Sequence, residues 1–185
     1  MLIKWLIRRK LRAFERANNY DAAYMHEVLE TDVSAFLKFA RATNLNTYRK
    51  DVSPDLYYAA TLTSSVTADC GPCTQLGVGF ALASGVAPAT VAAVIKGDEA
   101  AMTPNVALGF KFARALLARD AAVDELRVEI VRRWGPRAVL ALTFGVMASQ
   151  MYPTVKYALG HGKACTRVVV AGQAVAPRRL AVEAA

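Results

Sequence analysis

Helix punctuation constrains this chain more than any other feature. From residue 53 to residue 160, proline recurs where helices would open and glycine where they would close. Proline's fixed φ and missing N–H suit a first helical turn, and glycine tolerates the left-handed conformation that ends one. Ser53-Pro54-Asp55 is such an opening: the serine can accept a bond from a free N–H, and the aspartate favours the positive end of the helix. That helix is expected to reach about residue 67, although its Thr, Ser and Val content leaves a strand open. Asp69 is expected to cap a second helix that begins at Cys70 and stops near Ser84 before Gly85. Pro88 opens a short helix ending at Gly97, and Thr103-Pro104 opens one that reaches about Ala118. Residues 120–134 form another, stopped by Gly135. Pro136 starts the longest, reaching Gly160, which Pro153 should kink or shorten.

The flanks follow the same helical period. Ile3, Leu6, Ile7, Leu11 and Phe14 fall on one stripe of a basic amphipathic helix over residues 2–16. Residues 22–42 repeat the pattern, with Tyr24, Val28, Phe36, Leu37 and Phe39, and residues 43–52 read as a linker loop. Past Gly160 the pattern fades, and residues 166–170 suit one short strand or an extended tail. The expected fold is therefore all-α. Residues 1–52 form an N-terminal helical extension, residues 53–160 the core and residues 161–185 a C-terminal tail.

A chain of 185 residues can bury a core without disulfide staples. Three cysteines, Cys70, Cys73 and Cys165, do not make a secreted disulfide framework. The apolar run at the N-terminus is too short for a signal peptide, and its charges follow the apolar residues. A reducing cytoplasm is expected. The net charge of +8 sits in separate clusters: one over residues 4–16, then Arg132, Arg133 and Arg137, then Arg178 and Arg179. No stretch interleaves cations with aromatics, so nucleic acid is not an expected partner. Residues 70–95 and 138–155 carry no charge, but glycine, proline and polar side chains interrupt both, so buried bundle helices are preferred to membrane spans. The apolar composition, rich in small residues, suits a homo-oligomer.

The sharpest chemical signal is Cys70-Gly71-Pro72-Cys73. A helix start carries free N–H groups and partial positive charge, which lower a thiol's pKa from about 8.5 toward neutral. Cys-x-x-Cys spacing brings the second sulfur within disulfide reach of the first, so the pair can cycle between dithiol and disulfide. The bland alternative is two small buried hydrophobes. The tetrapeptide matches thioredoxin, but thioredoxin needs a buried strand before it, and here Asp69 precedes Cys70 within a helical region.

The stretch from Leu56 through Cys70-Gly-Pro-Cys73 to Ser84-Gly85-Val86 resembles the alkylhydroperoxidase D-like and carboxymuconolactone decarboxylase-like family. The resemblance covers about residues 54–160. It implies an all-α helical bundle that assembles as a trimer or a multiple of three. Redox members of the family carry Glu-x11-Cys-x2-Cys-x3-His. By that pattern Cys73 is the more buried sulfur that attacks peroxide, and Cys70 resolves it as a disulfide. The helix-start argument alone favours Cys70 as the more acidic thiol. Tyr58 stands at the family's glutamate position and Gly77 at its histidine position. The proton relay is therefore broken, because a phenol of pKa about 10 is a poor base at neutral pH and glycine offers none.

The expected function is a thiol–disulfide oxidoreductase with weak peroxidase activity, no cofactor and a thiol reductant protein as partner. The alternative is a non-catalytic oligomer that keeps the fold. Two further arrangements are weighed. His161 and Cys165 could join Cys70 and Cys73 in a zinc site, but the pairs lie far apart in sequence and no metal is expected. His161 could instead stand in for the missing relay. The N-terminal helix, with Trp5 among its arginines, could lie on an anionic membrane surface, but packing on a neighbouring subunit is preferred.

Overall fold

The computed structural model describes residues 2–178, and Arg179 of the last basic cluster lies outside them. The described residues are all-α apart from one small hairpin. The helices are α1 (Leu2–Asn18), α2 (Ala23–Thr31), α3 (Val33–Thr43), α4 (Pro54–Thr67), α5 (Gly71–Ala83), α6 (Pro88–Lys96), α7 (Pro104–Ala118), α8 (Ala122–Trp134) and α9 (Pro136–Ala158). Strands β1 (Val168–Val170) and β2 (Gln173–Val175) pair antiparallel, with Val168 opposite Val175. Ala171 and Gly172 both have positive φ between the strands, as a tight hairpin turn requires.

Most of the expected boundaries hold. Ser53 Oγ accepts from the Leu56 N–H at 3.3 Å, and prolines occupy the first turns of α4, α5, α6, α7 and α9. Gly85, Gly97, Gly135 and Gly160 all take positive φ at helix ends. Arg119 does the same after α7, where the sequence offers no glycine. Residues 54–67 are helical throughout, which removes the strand option. One expected helix is two. Asp32 is extended (φ −158°, ψ 120°) and its carboxylate accepts from the Ala35 N–H at 3.0 Å, so it ends α2 and caps α3. Pro153 lies inside α9, which continues past it to Ala158.

Helix α4 is the hub, packed by α5, α6, α7 and α9, and residues 56–66 of it are buried all round. Its hydroxyls are the reason that a helix so rich in Thr and Ser can be buried. Thr63 and Ser65 donate to the carbonyls of Ala59 and Thr61, and Ser64 donates to the Val146 carbonyl across the interface with α9. Gln150 returns two bonds to Ser64, at 2.7 and 2.9 Å. Small residues opposite let the helices close: a Cβ on Gly145 would stand 2.8 Å from Thr61 Cγ2. Helix α9, with 23 residues, is long and apolar enough by length and composition to cross a membrane. Here Ala138, Ala141, Leu142, Gly145, Val146 and Ala148 of α9 are buried in the bundle.

The flanks are packed in different ways. Tyr20, Tyr24, Met25, Leu29 and Phe36 form a second, smaller core that seats α1–α3 on Leu76 of α5 and on Tyr152 and Val155 of α9. The C-terminal segment enters the main core through Cys165, Val168, Val170 and Val175. The Gln75 side chain clamps β1, accepting from the Val169 N–H at 2.7 Å and donating to the Val169 carbonyl at 3.0 Å.

Candidate functional site

The cysteine pair sits where α4 turns into α5. Cys70 and Cys73 are joined as a disulfide, with Cα atoms 5.3 Å apart, inside the usual range for such a bond. Cys70, not Asp69, is the N-cap of α5: its backbone is extended and its sulfur accepts from the Cys73 N–H at 3.4 Å. The Cys70 carbonyl takes bonds from both the N–H and the hydroxyl of Thr74, each at 2.9 Å.

Asp69 has another task. It lies at φ +48° and its Oδ1 accepts from the Cys165 N–H at 2.8 Å, while its carbonyl accepts from the Tyr157 hydroxyl at 2.8 Å. Two residues on, the Gly71 N–H donates to the Lys163 carbonyl at 3.0 Å. A Cβ on Gly71 would stand 2.9 Å from the Ala164 carbonyl oxygen, so glycine is needed here for close approach. Residues 163–165 thus lie directly against residues 69–71 and seal this side of the pair. Cys70 is completely buried and Cys165 is 2% exposed.

Cys73 faces the other way. It lines a cavity of about 400 Å³, within the range of small-molecule sites. The wall is mostly apolar and aromatic, with Tyr20, Tyr24, Tyr57 and Tyr152 on it and Phe14 of α1 and Phe80 of α5 at its exposed edge. The burial order expected from the family is therefore reversed. Cys70 is the sealed sulfur and Cys73 the partly exposed one, because the C-terminal segment covers the first cysteine.

Both relay positions open on the same cavity as Cys73. Tyr58 is buried, and its hydroxyl lies 3.0 Å from Arg49 Nη1 and 3.0 Å from Ser84 Oγ, both of which donate to it. Arg49 also stacks over the rings of Tyr57 and Tyr58, at 4.6 and 5.3 Å from their centroids. Burial raises the Tyr57 phenol above its ordinary pKa, and the Arg49 charge opposes that. Burial likewise raises Tyr20, Tyr24 and Tyr152. At Gly77 a Cβ would meet only Leu62 Cδ2, at 3.0 Å. Among the described residues, no carboxylate or imidazole lines this cavity.

His161 is elsewhere. Its Nε2 is 2.7 Å from Glu27 Oε2, and it lines a separate cleft beside Pro72 with Asp21, Tyr24, Lys156 and Lys163. It therefore does not reach the cavity as a substitute base. The described residues contain no group of three or more His, Cys, Asp and Glu suited to a metal.

Comparison with protein-family models, curated proteins and solved structures returned no match.

Sequence reasoning missed Arg49, the anchoring role of Asp69, and Lys156. Lys156 is 3% exposed, with its ammonium 4.5 Å from the Tyr20 ring centroid and 4.9 Å from that of Tyr24. Burial lowers its pKa to about 8, with Asp21 opposing the shift and Lys163 adding to it. One signal was available in the sequence: Lys156 is the cation that closes the uncharged run of residues 138–155.

Proposed function

We propose that this protein is a thiol–disulfide oxidoreductase of the alkylhydroperoxidase D-like kind, with Cys73 as the sulfur that meets the substrate. The observation that carries the proposal is the asymmetry of the pair: Cys73 opens on an apolar cavity while Cys70 is sealed at the start of α5. The order of α4, the Cys-x-x-Cys pair opening α5, the stop at Gly85 and the short α6 supports the family resemblance.

The asymmetry assigns the steps of exchange. A thiolate of an external dithiol attacks Cys73 Sγ from the cavity, a new S–S bond forms, and the Cys70–Cys73 bond breaks. Cys70 leaves as a thiolate at the α5 N-terminus, where the Cys73 N–H points at its sulfur. The second external thiol then attacks its own sulfur in the mixed disulfide. Cys73 is released as a thiol, and the partner leaves oxidised by two electrons. The helix start thus receives the leaving sulfur, and the cavity exposes the sulfur that is attacked. The apolar wall favours a substrate of low polarity and a thiol reductant protein that presents an apolar arm.

Peroxide reduction starts from the dithiol. Cys73 thiolate would attack the peroxide, break the O–O bond, release an alcohol and become a sulfenic acid. Cys70 would then close the disulfide with loss of water. The thiol must first lose its proton, and the cavity offers no base at neutral pH. That absence favours exchange over peroxidase chemistry, and it is also the observation behind a second reading, a non-catalytic homo-oligomer that keeps the fold. Exposed Leu140 and Met147 on α9 supply apolar surface for a trimer or a multiple of three, which sedimentation should show.

Incubation with a dithiol reductant followed by mass mapping tests the function. The Cys70–Cys73 bond should open and re-form reversibly, and peroxide turnover should be slow. A pair that stays locked or inert would leave the non-catalytic reading standing.

A further inference from the structure

Helix α1 is amphipathic, yet it buries none of its residues completely. Its inward face is seated: Ile7 and Leu11 pack on the small core of α2 and α3. Its first two turns are tied to α2 by Lys4 and Arg8 on Glu30, yet they leave large apolar side chains outside. Leu2, Ile3, Trp5 and Leu6 are 72, 51, 52 and 45% exposed, a concentration of large apolar side chains within the first five described residues. Single exposed hydrophobics are ordinary, but a group of them on one helix end calls for a partner.

The charge says which partner. The α1 sequence holds six cations, Lys4, Arg8, Arg9, Lys10, Arg12 and Arg16, against one acid, Glu15. Lys4 and Arg8 pair with Glu30 of α2. The Arg9 guanidinium lies over the Trp5 ring at 5.8 Å. Among the described residues, Lys10, Arg12 and Arg16 have no carboxylate within ion-pair distance. A second copy would bring a net charge of +8 to this cationic helix, whereas an anionic surface would be attracted to it. At 100° per residue Leu2, Trp5 and Leu6 share the outer side of α1 with Arg9 and Arg16, and Lys10 and Arg12 stand at its edges, so apolar side chains, a tryptophan and cations are presented together, the chemistry of a helix lying in a lipid interface.

We infer that the first half of α1 docks on an anionic lipid bilayer, with Leu2, Ile3, Trp5 and Leu6 entering the headgroup–acyl boundary and the arginines and Lys10 meeting lipid phosphates. Leu11 and Phe14 of the same helix line the cavity that holds Cys73. Leu11 follows Leu6 by about 8 Å of helix axis and lies about 140° around it, so docking places the cavity mouth near the membrane surface, on the inward side of the helix. An apolar substrate dissolved in the bilayer is then concentrated at that mouth. This consequence rests on the redox proposal, and the docking itself does not.

The test is flotation of the full chain with vesicles of phosphatidylglycerol and phosphatidylcholine, and with vesicles of phosphatidylcholine alone. Binding to the anionic vesicles should exceed binding to the neutral ones by at least about a hundredfold, since several cations approach the surface together. It should weaken at about 0.5 M salt. Trp5 emission, read in a Trp134→Phe background, should shift to the blue on binding. Trp5→Glu with Leu6→Glu should lower the partition at least about tenfold without changing helicity or melting, because both side chains are already exposed. Absence of flotation with anionic vesicles overturns the inference, as does flotation that the double substitution leaves unchanged. An oligomer that the double substitution dissociates, with no vesicle binding by either form, identifies the face as a subunit contact and also overturns it. None of these readouts depends on the cysteines.

Discussion

The two sides of the Cys70–Cys73 pair are built differently. On the Cys70 side, backbone meets backbone: Lys163, Ala164 and Cys165 lie against Asp69 and Gly71, and the sulfur is fully buried. On the Cys73 side, aromatic side chains stand back around a cavity of about 400 Å³. One disulfide thus has a sealed end and an open end. Either cysteine could have been the exposed one in a Cys-x-x-Cys motif. The C-terminal segment decides the matter by covering the first.

The seal is where this comparison is most easily broken. Gly71→Ala would drive a Cβ to 2.9 Å from the Ala164 carbonyl oxygen, a backbone atom that cannot turn aside. It should cost roughly 1–3 kcal/mol and lift residues 163–165. Asp69→Ala should cost about 2 kcal/mol by leaving the Cys165 N–H without its charged acceptor. In both variants, alkylation of Cys70 in the reduced protein should rise at least about tenfold while Cys73 changes little. Denaturant melts and mass mapping of alkylated peptides would check this. If neither variant changes Cys70 reactivity, the segment is not what protects it.

Lys156 lies behind the sealed side and tests it by pH. Its pKa is about 8 in the folded protein against 10.5 for an ordinary lysine, so the unfolded chain holds more protons between those values. Stability should therefore rise as pH climbs from about 8 to about 10.5, by at most about 3 kcal/mol. Lys156→Met should flatten that rise, because it removes the buried charge and keeps most of the volume. An equal slope in wild type and variant would show that Lys156 is not the group responsible.

The open side is sharpened by Tyr58. Tyr58→Phe removes the oxygen that receives Arg49 and Ser84, and should cost about 1 kcal/mol of stability. Exchange at Cys73 should change less than about threefold if the phenol is structural. A loss of tenfold or more with an altered pH profile would make Tyr58 part of a proton path. If the proposed resemblance to the alkylhydroperoxidase D-like family holds, introducing that family's pattern by Tyr58→Glu with Gly77→His should raise peroxide turnover by up to about 10²–10⁴-fold. The Arg49 guanidinium would hold the new carboxylate ionised, and Leu62 must yield a few tenths of an ångström for the new side chain. Folding of the double variant must therefore be established by circular dichroism before its rate is read.

The sequence disclosed the bundle because its helix ends are written in residues with one local meaning. Ser53-Pro54, Pro88, Thr103-Pro104, Gly135-Pro136 and Gly160 all mark real ends. Asp32 was harder to see, since an aspartate between two apolar patterns reads equally well as a solvated helix position. The pairing of Cys70 with Cys73 was also legible, from its spacing. The seal was not. It depends on a contact across 96 residues, between Asp69 and Cys165, that no local pattern records. Asp69 looked like a helix cap because aspartate before a helix usually is one; the neighbouring cysteine takes the cap, and the aspartate is left to hold the C-terminal segment. The cavity was likewise invisible, because its wall combines α1, α2, α4, α5 and α9 with Arg49 from a loop.

The central claim is that substrate reaches the pair at Cys73. Timed alkylation of the fully reduced protein with a small maleimide at neutral pH, followed by peptide mass mapping, measures this directly. The account predicts that Cys73 is modified at least about a hundredfold faster than Cys70, and that Cys165 reacts no faster than Cys70. Preferential modification of Cys70, or equal rates at Cys70 and Cys73, would contradict it.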